Sequence, residues 1–292
     1  MNRIAILYPG GMGAALGHAV GRAGGMAITC LSGRSEATRY RACDADFVVV
    51  ASLEQVIRQS EIVISLVPPA SAVETARRFI ACCELTGSYP PDPPTFVEAN
   101  SLSPRTKQRI AELLSHAGIP CVDGAFFGPA NQVGRDNVLA LSGAKADRVA
   151  SILQKVIEVR VIGGGVGQAS SLKMALGVMT KALCALFLEM VCASADCGQL
   201  DSTVDLMRRL YPGTMRFLER SLPTYPCQVA RKAYELKEVA SWLHDRGQWG
   251  IMTESALAVL DRLQRAELEP RDDWAFEDLV RRIADSELLR TI

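Results

Sequence analysis

The sequence predicts an α/β fold, in which a doubly wound, mostly parallel sheet comes first and an all-α domain follows. Three observations predict it. The short apolar run 4–7 leads into a glycine-rich turn and then into a helical pattern, the order that begins a βαβ unit. Apolar strands and helices then alternate to about residue 165. After the glycines 163–165 only helical periodicity remains, which indicates a second domain.

The predicted elements follow from these patterns, with apolar runs as strands and caps, glycines and prolines as helix ends. Strands are predicted at 3–8, 26–31, 46–50, 61–66, 95–99, 119–123, 137–142 and 158–162. Helices are predicted between them at 11–24, 52–59, 70–81, 103–117 and 145–157. Further helices are predicted at 168–197, 202–210, 213–222, 227–245, 252–267 and 275–290. The domains are therefore predicted as a Rossmann-type domain over 1–165 and a helical domain over 166–292.

Composition excludes several classes of protein. A chain of 292 residues with 49% hydrophobic and 22% charged residues is ordinary for a two-domain globular protein. A net charge of zero favours neither nucleic acid nor an acidic membrane as a partner. Nine cysteines without framework spacing, and no cluster with metal-ligand spacing, favour reduced thiols in the cytoplasm and no metal. The apolar segment 174–197 carries Lys181, Glu189 and Asp196, so a buried helix is predicted there and no membrane span.

The glycine-rich turn is the first candidate site. Gly10, Gly11, Met12 and Gly13 follow the first strand and open a helix. Glycines let the backbone approach a pyrophosphate, and the free N–H groups of the helix N-terminus favour its charge. The sequence therefore predicts that these four residues bind a dinucleotide, although a glycine turn alone also occurs without a ligand.

The end of the second strand indicates which dinucleotide. An acid usually holds the ribose 2′-hydroxyl of NAD at this place. Here Ser32, Arg34 and Ser35 stand instead. A guanidinium and two hydroxyls suit a 2′-phosphate, so NADPH is predicted in preference to NAD. The other reading of Arg34 is a solvated loop residue.

Two further strand ends lie on the same predicted sheet edge, where such folds bind ligands. Val67 and Pro68 follow the fourth strand, and Asn100 and Ser101 follow the fifth. Val67, Pro68 and Asn100 are predicted to contact the cofactor, and Ser101 the substrate. Ser103 stands before a proline, so it is predicted to cap the next helix.

The turn at Gly128 and Pro129 and the start of the long helix supply the remaining candidates. Gly128-Pro129 could present backbone N–H groups to a substrate, although taken alone it is an ordinary turn. Lys173 lies about two turns into an apolar helix, where an amine in a cleft can exchange a proton during hydride transfer. Lys181 projects from nearly the same face and is a substrate-binding candidate. The spacing Ser170-x-x-Lys173 also matches a serine-nucleophile motif, but its companion motifs are absent.

Together these segments resemble the superfamily of β-hydroxyacid dehydrogenases and 6-phosphogluconate dehydrogenases over about residues 4–185. Met12-Gly13 is similar to the cofactor motif of that superfamily, and Asp123 to Pro129 to its substrate-binding turn. The segment from Asn100 to Pro104 resembles the one that lies between them. Gly167 to Lys173 is similar to the catalytic motif, with Lys173 in the position of the catalytic lysine. The rest resembles a subgroup with an uncharacterised C-terminal helical domain.

The resemblance implies NADP-linked redox chemistry, with NADP held by the first domain and substrate binding and homodimer formation in the second. The sequence departs from the pattern at three positions. Tyr8 replaces the first glycine, Phe127 stands in place of a serine, and Gly177 stands in place of an asparagine.

Three functions are compatible with these residues. The first is an NADPH-dependent oxidoreductase that moves hydride to or from a carbonyl or alcohol carbon of a small polar substrate, with Lys173 as general acid or base. The second is an imine reductase on the same fold, against which the lysine argues. The third is a non-catalytic NADPH-binding module, which the missing polar residues would support.

Overall fold

A computed structural model describes residues 3–85, 93–266, 268–271 and 273–286 of the chain. The chain divides into two compact units, 1–173 and 174–292. The structural division falls after Lys173, within a helix, whereas the boundary expected from the sequence falls after residue 165.

The first unit contains one eight-stranded sheet. Its strands are β1 (Arg3–Leu7), β2 (Met26–Cys30), β3 (Val48–Val50), β4 (Ile62–Ser65), β5 (Thr95–Glu98), β6 (Cys121–Phe127), β7 (Val138–Ser142) and β8 (Glu158–Gly163). They lie in the order β3-β2-β1-β4-β5-β6-β7-β8. All neighbours pair in parallel except β6 and β7, which are antiparallel. The predicted sheet is confirmed, and every predicted strand is present.

Helices connect the strands and then continue alone. In the first unit they are α1 (Gly11–Arg22), α2 (Glu36–Asp44), α3 (Leu53–Gln59), α4 (Ala72–Leu85), α5 (Pro104–His116) and α6 (Ala146–Leu153). Helix α7 (Gln168–Asp196) begins in the first unit and continues into the second. The second unit continues with α8 (Leu200–Leu210), α9 (Pro212–Ser221), α10 (Tyr225–His244), α11 (Ile251–Arg265) and α12 (Phe276–Asp285).

The central strands β1, β4 and β5 are buried at every position except Arg3, and most of their residues are apolar. Alternate residues of β1 point to opposite faces. Ile4 and Ile6 pack in a core with α1 and α6, whereas Ala5 and Leu7 pack in a second core with α3, α4 and α5. This is the pattern of a parallel sheet covered by helices on both sides.

The second unit has its own helical core. Buried apolar residues from all its helices form one cluster, which includes Leu188, Leu218, Leu236, Leu260 and Leu279. Helix α7 has 29 residues and a mean hydropathy of 1.8 in its most apolar stretch, of which 33% is buried. Among the described residues it is the one helix that could cross a membrane by length and composition, a test that core helices also pass.

Two details differ from the sequence-based prediction. Helix α2 was not predicted, and that omission was wrong. Its residues are mostly polar and only Ala42 is buried, so no apolar stripe marks it in the sequence. The helix expected over 145–157 ends at Leu153. Residues 287–290 of the last predicted helix lie outside the described residues.

Candidate functional site

The candidate residues of the first unit gather at one edge of the sheet. Strands β1, β4, β5 and β6 are successive parallel neighbours, so their carboxyl ends meet at that edge. The segments that follow these four strands hold most of the predicted site: 10–13, 67–68, 100–101 and 128–129. The order in which strands are added to the sheet reverses between β1 and β4, and open α/β sheets bind ligands at such a switch point.

The glycine turn leaves the start of α1 open to an anion. Gly10 is the N-cap and makes no side-chain cap hydrogen bond, and the first turn carries no acid. A Cβ atom at Gly10 or Gly11 would meet nothing within 4 Å, whereas one at Gly13 would lie 3.3 Å from Ile6 Cγ2. The turn is therefore open on its outer side and closely packed on the inner side. This arrangement suits a phosphate at the helix N-terminus.

Arg34 lies over a neighbouring aromatic ring after β2. Its guanidinium carbon is 4.2 Å from the centroid of the Tyr8 ring, a cation–π contact. Its Nε donates to the Ser32 carbonyl oxygen at 3.4 Å. The Ser35 hydroxyl caps α2 by accepting a hydrogen bond from the Thr38 N–H at 3.3 Å. Tyr8, which replaces a glycine of the motif, thus supports the arginine beside the turn.

Asn100 ties two strand ends together. Its Oδ1 accepts a hydrogen bond from the Val67 N–H at 2.7 Å, and its Nδ2 donates to Ser65 Oγ at 3.1 Å. Its backbone N–H donates to Glu98 Oε1 at 2.9 Å. The side chain is 4% exposed. These contacts fix the segments that carry Val67, Pro68, Asn100 and Ser101.

A fully buried ion pair lies beneath this edge. Lys107 Nζ donates to Asp123 Oδ1 at 2.8 Å, to the Gly124 carbonyl oxygen at 2.7 Å and to the Glu98 carbonyl oxygen at 3.0 Å. The side chains of Lys107 and Asp123 are 1% and 0% exposed. All three donor positions of the ammonium are satisfied, which a buried charge requires.

The other oxygen of Asp123 caps α7. Oδ2 accepts hydrogen bonds from the Gly167 N–H at 3.0 Å, the Ser170 N–H at 2.8 Å and Ser170 Oγ at 2.9 Å. Burial alone would raise the pKa of Asp123, but the Lys107 ammonium and the hydrogen bonds from Lys107 and Ser170 outweigh burial and lower it. The carboxylate is therefore charged, and its charge favours the positive end of the helix.

Lys173 follows this anchored turn of α7 directly. Its Nζ donates a hydrogen bond to Ser101 Oγ at 2.9 Å, and the lysine is half-buried. The structure thus brings Lys173 to the end of β5, beside Asn100.

Lys181, the second lysine predicted from the long helix, lies in the second unit. It forms an ion pair with Glu235 Oε2 at 3.3 Å. Its Nζ lies 3.6 Å from where a Cβ atom at Gly177 would stand.

Sequence reasoning missed the buried residues that hold this site. Lys107, Glu98 and Ser142 were not predicted as site residues. Ser170 was considered only as part of a serine-nucleophile motif, which the absence of its companion motifs rules out. One signal was available for Lys107: it shares an apolar helix face with Ile110 and Leu114, at spacings of three and seven residues. A lysine on such a face needs a buried partner.

Sequence comparison finds one relative of similar length. No family model matches the sequence. An uncharacterised 28.5 kDa protein of Methanothermus fervidus is 31% identical over 180 residues. The alignment covers 61% of this chain and 66% of that relative, just under two thirds of its length.

Solved structures cover nearly the whole chain. A 3-hydroxyisobutyrate dehydrogenase from Salmonella typhimurium matches 96% of this chain and 100% of its own, with a TM-score of 0.75 at 18% identity. An imine reductase from Myxococcus stipitatus in complex with NADP+ matches 96% of this chain and 99% of its own, with a TM-score of 0.62 at 17% identity. The chain shares the fold of these two proteins, and the α/β sheet followed by helices that its sequence predicts is confirmed.

Glu98 is a buried acid within the same network, and its protonation differs between the folded and unfolded chain. It is 0% exposed, and its Oε2 has no hydrogen-bond partner. Burial raises the pKa of Glu98 to about 7, although Lys107 and the Asn100 N–H act in the opposite direction. The folded chain therefore keeps this proton up to about pH 7, while the unfolded chain loses it at an ordinary carboxyl pKa near ~4.3.

We predict that Glu98→Gln changes the pH dependence of stability. In the wild type, the stability that protonated Glu98 contributes is lost as the pH rises from about 4.3 to about 7, because the folded state binds the extra proton in that range. The amide has no such proton to lose. The unfolding free energy of the variant relative to wild type, measured in urea, should therefore rise between pH 5 and 7.5 by an amount on the order of 1 kcal/mol or more. If the unfolding free energies of the variant and the wild type differ by the same amount at pH 5 and at pH 7.5, Glu98 does not carry the extra proton in the folded state.

Proposed function

We propose that this protein is an NADPH-dependent oxidoreductase that transfers hydride between the nicotinamide and a carbonyl or alcohol carbon of a small polar substrate. The observation that carries the proposal is the contact of 2.9 Å between Lys173 Nζ and Ser101 Oγ. It puts an amine and a hydroxyl together at the sheet edge where α/β folds bind ligands. The dehydrogenases and reductases of the same fold support the redox chemistry.

The residues of the first unit fit the cofactor. Gly10, Gly11, Met12 and Gly13 would hold the pyrophosphate at the open start of α1, since no side chain caps it. Arg34, supported on Tyr8, would hold the 2′-phosphate beside Ser32 and Ser35, which favours NADPH over NAD. Val67, Pro68 and Asn100 would line the nicotinamide end. The cofactor, when bound, supplies or accepts the hydride.

Lys173 would act as the proton donor or acceptor. In the direction of reduction its ammonium gives a proton from Nζ to the carbonyl oxygen, and in the direction of oxidation Nζ takes the proton from the hydroxyl. Ser101 holds the amine in place through its Oγ and would contact the same substrate oxygen. Gly128, Pro129 and Lys181 are proposed to bind the rest of the substrate.

An imine reductase is the second candidate, and the fold likeness to imine reductases supports it. The amine of Lys173 favours carbonyl chemistry, since the substrate oxygen needs a proton partner. Purified protein assayed with NADPH against 3-oxoacids and cyclic imines distinguishes the two. Turnover of imines alone would favour the second, and tight NADPH binding without any turnover would favour a non-catalytic module.

We predict that Lys173→Ala lowers kcat by about 10²- to 10⁴-fold, because the proton partner is lost. The dissociation constant for NADPH, followed by its fluorescence, should stay within a factor of about two, since the proposed cofactor contacts lie elsewhere. Lys145→Ala is the matched control, because Lys145 is an exposed lysine of the same unit. Unchanged turnover in Lys173→Ala would remove Lys173 from this role.

We also propose that the protein is a cytoplasmic homodimer, with α7 in the dimer interface. Leu172, Leu176, Met179 and Leu186 of α7 are 37%, 43%, 62% and 56% exposed. Their spacings of four, seven and fourteen residues place them on one helix face. An exposed apolar stripe of this length is typical of an interface.

Sedimentation tests the dimer. The wild type should sediment as a species of twice the chain mass of 31.6 kDa, and Met179→Glu should shift it toward the monomer because a charge would be buried. Met252→Glu is the matched control, since Met252 is 59% exposed on α11. A wild type that remains monomeric at micromolar concentration would refute this part of the proposal.

A further inference from the structure

Asn137 is a buried amide without partners. It stands directly before β7 and is 1% exposed. Neither its Oδ1 nor its Nδ2 has a hydrogen-bond partner. Seven buried side-chain atoms among the described residues lack partners, and Asn137 alone contributes two of them. Leaving such groups unpaired is unfavourable, so a fold that keeps both needs a reason.

The amide lies against the predicted substrate turn. Because β6 and β7 are antiparallel and Phe127 pairs with Val138, Asn137 stands beside Gly128. A Cβ atom at Gly128 would lie 3.0 Å from Asn137 Cγ and Oδ1 and 3.1 Å from Nδ2. Gly128 also has a φ of +102°, which an L side chain rarely adopts. Any side chain at residue 128 would therefore press on the amide.

The chemistry of the amide limits what can bind it. An asparagine offers an acceptor and a donor in one plane. A carboxylate has only acceptors and would satisfy Nδ2 alone, whereas a primary carboxamide can pair with both atoms at once. Phe127, the residue before Gly128, has no polar side-chain atom that could pair with the Asn137 amide.

We propose that Asn137 is a binding residue for the carboxamide of the nicotinamide, a proposal that rests on the function proposed above. Gly128, at a φ of +102°, lies directly against the amide. A change in the backbone conformation of this glycine, which lacks a Cβ atom, would uncover the amide and admit the carboxamide.

The test compares two cofactors on two proteins. NADPH and its reduced 3-acetylpyridine analogue differ in that the acetyl group keeps the carbonyl oxygen and lacks the N–H donor. Wild type should bind NADPH about tenfold more tightly than the analogue, since one buried hydrogen bond is lost. Asn137→Leu, similar in size, should bind NADPH about tenfold more weakly than wild type and should no longer distinguish the two cofactors.

Stability provides the second readout. Asn137→Leu replaces an unpaired amide by an apolar group, so the ligand-free variant should be at least as stable as wild type to urea. The control is Thr253→Val, which removes a buried, unpaired hydroxyl in the second unit. It should leave the affinities for both cofactors unchanged. Should Asn137→Leu fail to fold, Asn137→Asp keeps the shape, presents only acceptors when ionised and should still lose affinity for NADPH.

The outcomes separate the two proposals. A wild type that binds neither cofactor refutes the proposed function and this inference together. If the wild type binds NADPH and Asn137→Leu keeps the same affinity for NADPH and the same preference for NADPH over the analogue, this inference alone is refuted. A ligand-free Asn137→Leu that is strongly destabilised, combined with unchanged affinity for NADPH in Asn137→Asp, would show a purely structural role.

Discussion

The buried pair of Lys107 and Asp123 is the interaction on which the rest of the first unit depends. Taking two charges out of water is costly, and the pair is tolerated because the three ammonium donors and both carboxylate oxygens have hydrogen-bond partners. Lys107 binds two carbonyl oxygens besides the carboxylate. Asp123 receives the first turn of α7. Breaking such a pair typically costs about 3–5 kcal/mol, since the remaining charge stays buried.

Through this pair the sheet determines where α7 begins. Lys107 joins α5 to the ends of β5 and β6, and Asp123 joins β6 to Gly167 and Ser170. Ser142 of β7 adds a hydroxyl that accepts from the Ala169 N–H at 3.0 Å. Lys173 lies one turn later, so its reach to Ser101 is set by buried contacts. A proton-transferring amine needs such rigid support, because small displacements lower its efficiency.

Local patterns predicted much of this fold, and long-range contacts explain what they missed. The β strands are short, mostly apolar runs such as residues 62–65. Ser103, which stands before a proline, caps α5 as predicted by accepting a hydrogen bond from the Thr106 N–H. The glycine turn and Lys173 could be found from motifs in short segments. The partner of Lys107 is 16 residues away and that of Asp123 is 47 residues away, and no local pattern links them. The position of Asn137 beside Gly128 could not be predicted for the same reason, since it follows from the antiparallel pairing of β6 and β7.

The most direct test of this account is hydrogen exchange at the Ser170 amide in Asp123→Ala, with the Leu139 amide of β7 as an internal reference for global unfolding. If the carboxylate anchors α7, Ser170 should lose protection by about tenfold or more relative to Leu139, because its N–H loses a charged acceptor. Equal changes at the two amides would show that α7 begins in the same place without Asp123, and would contradict the account.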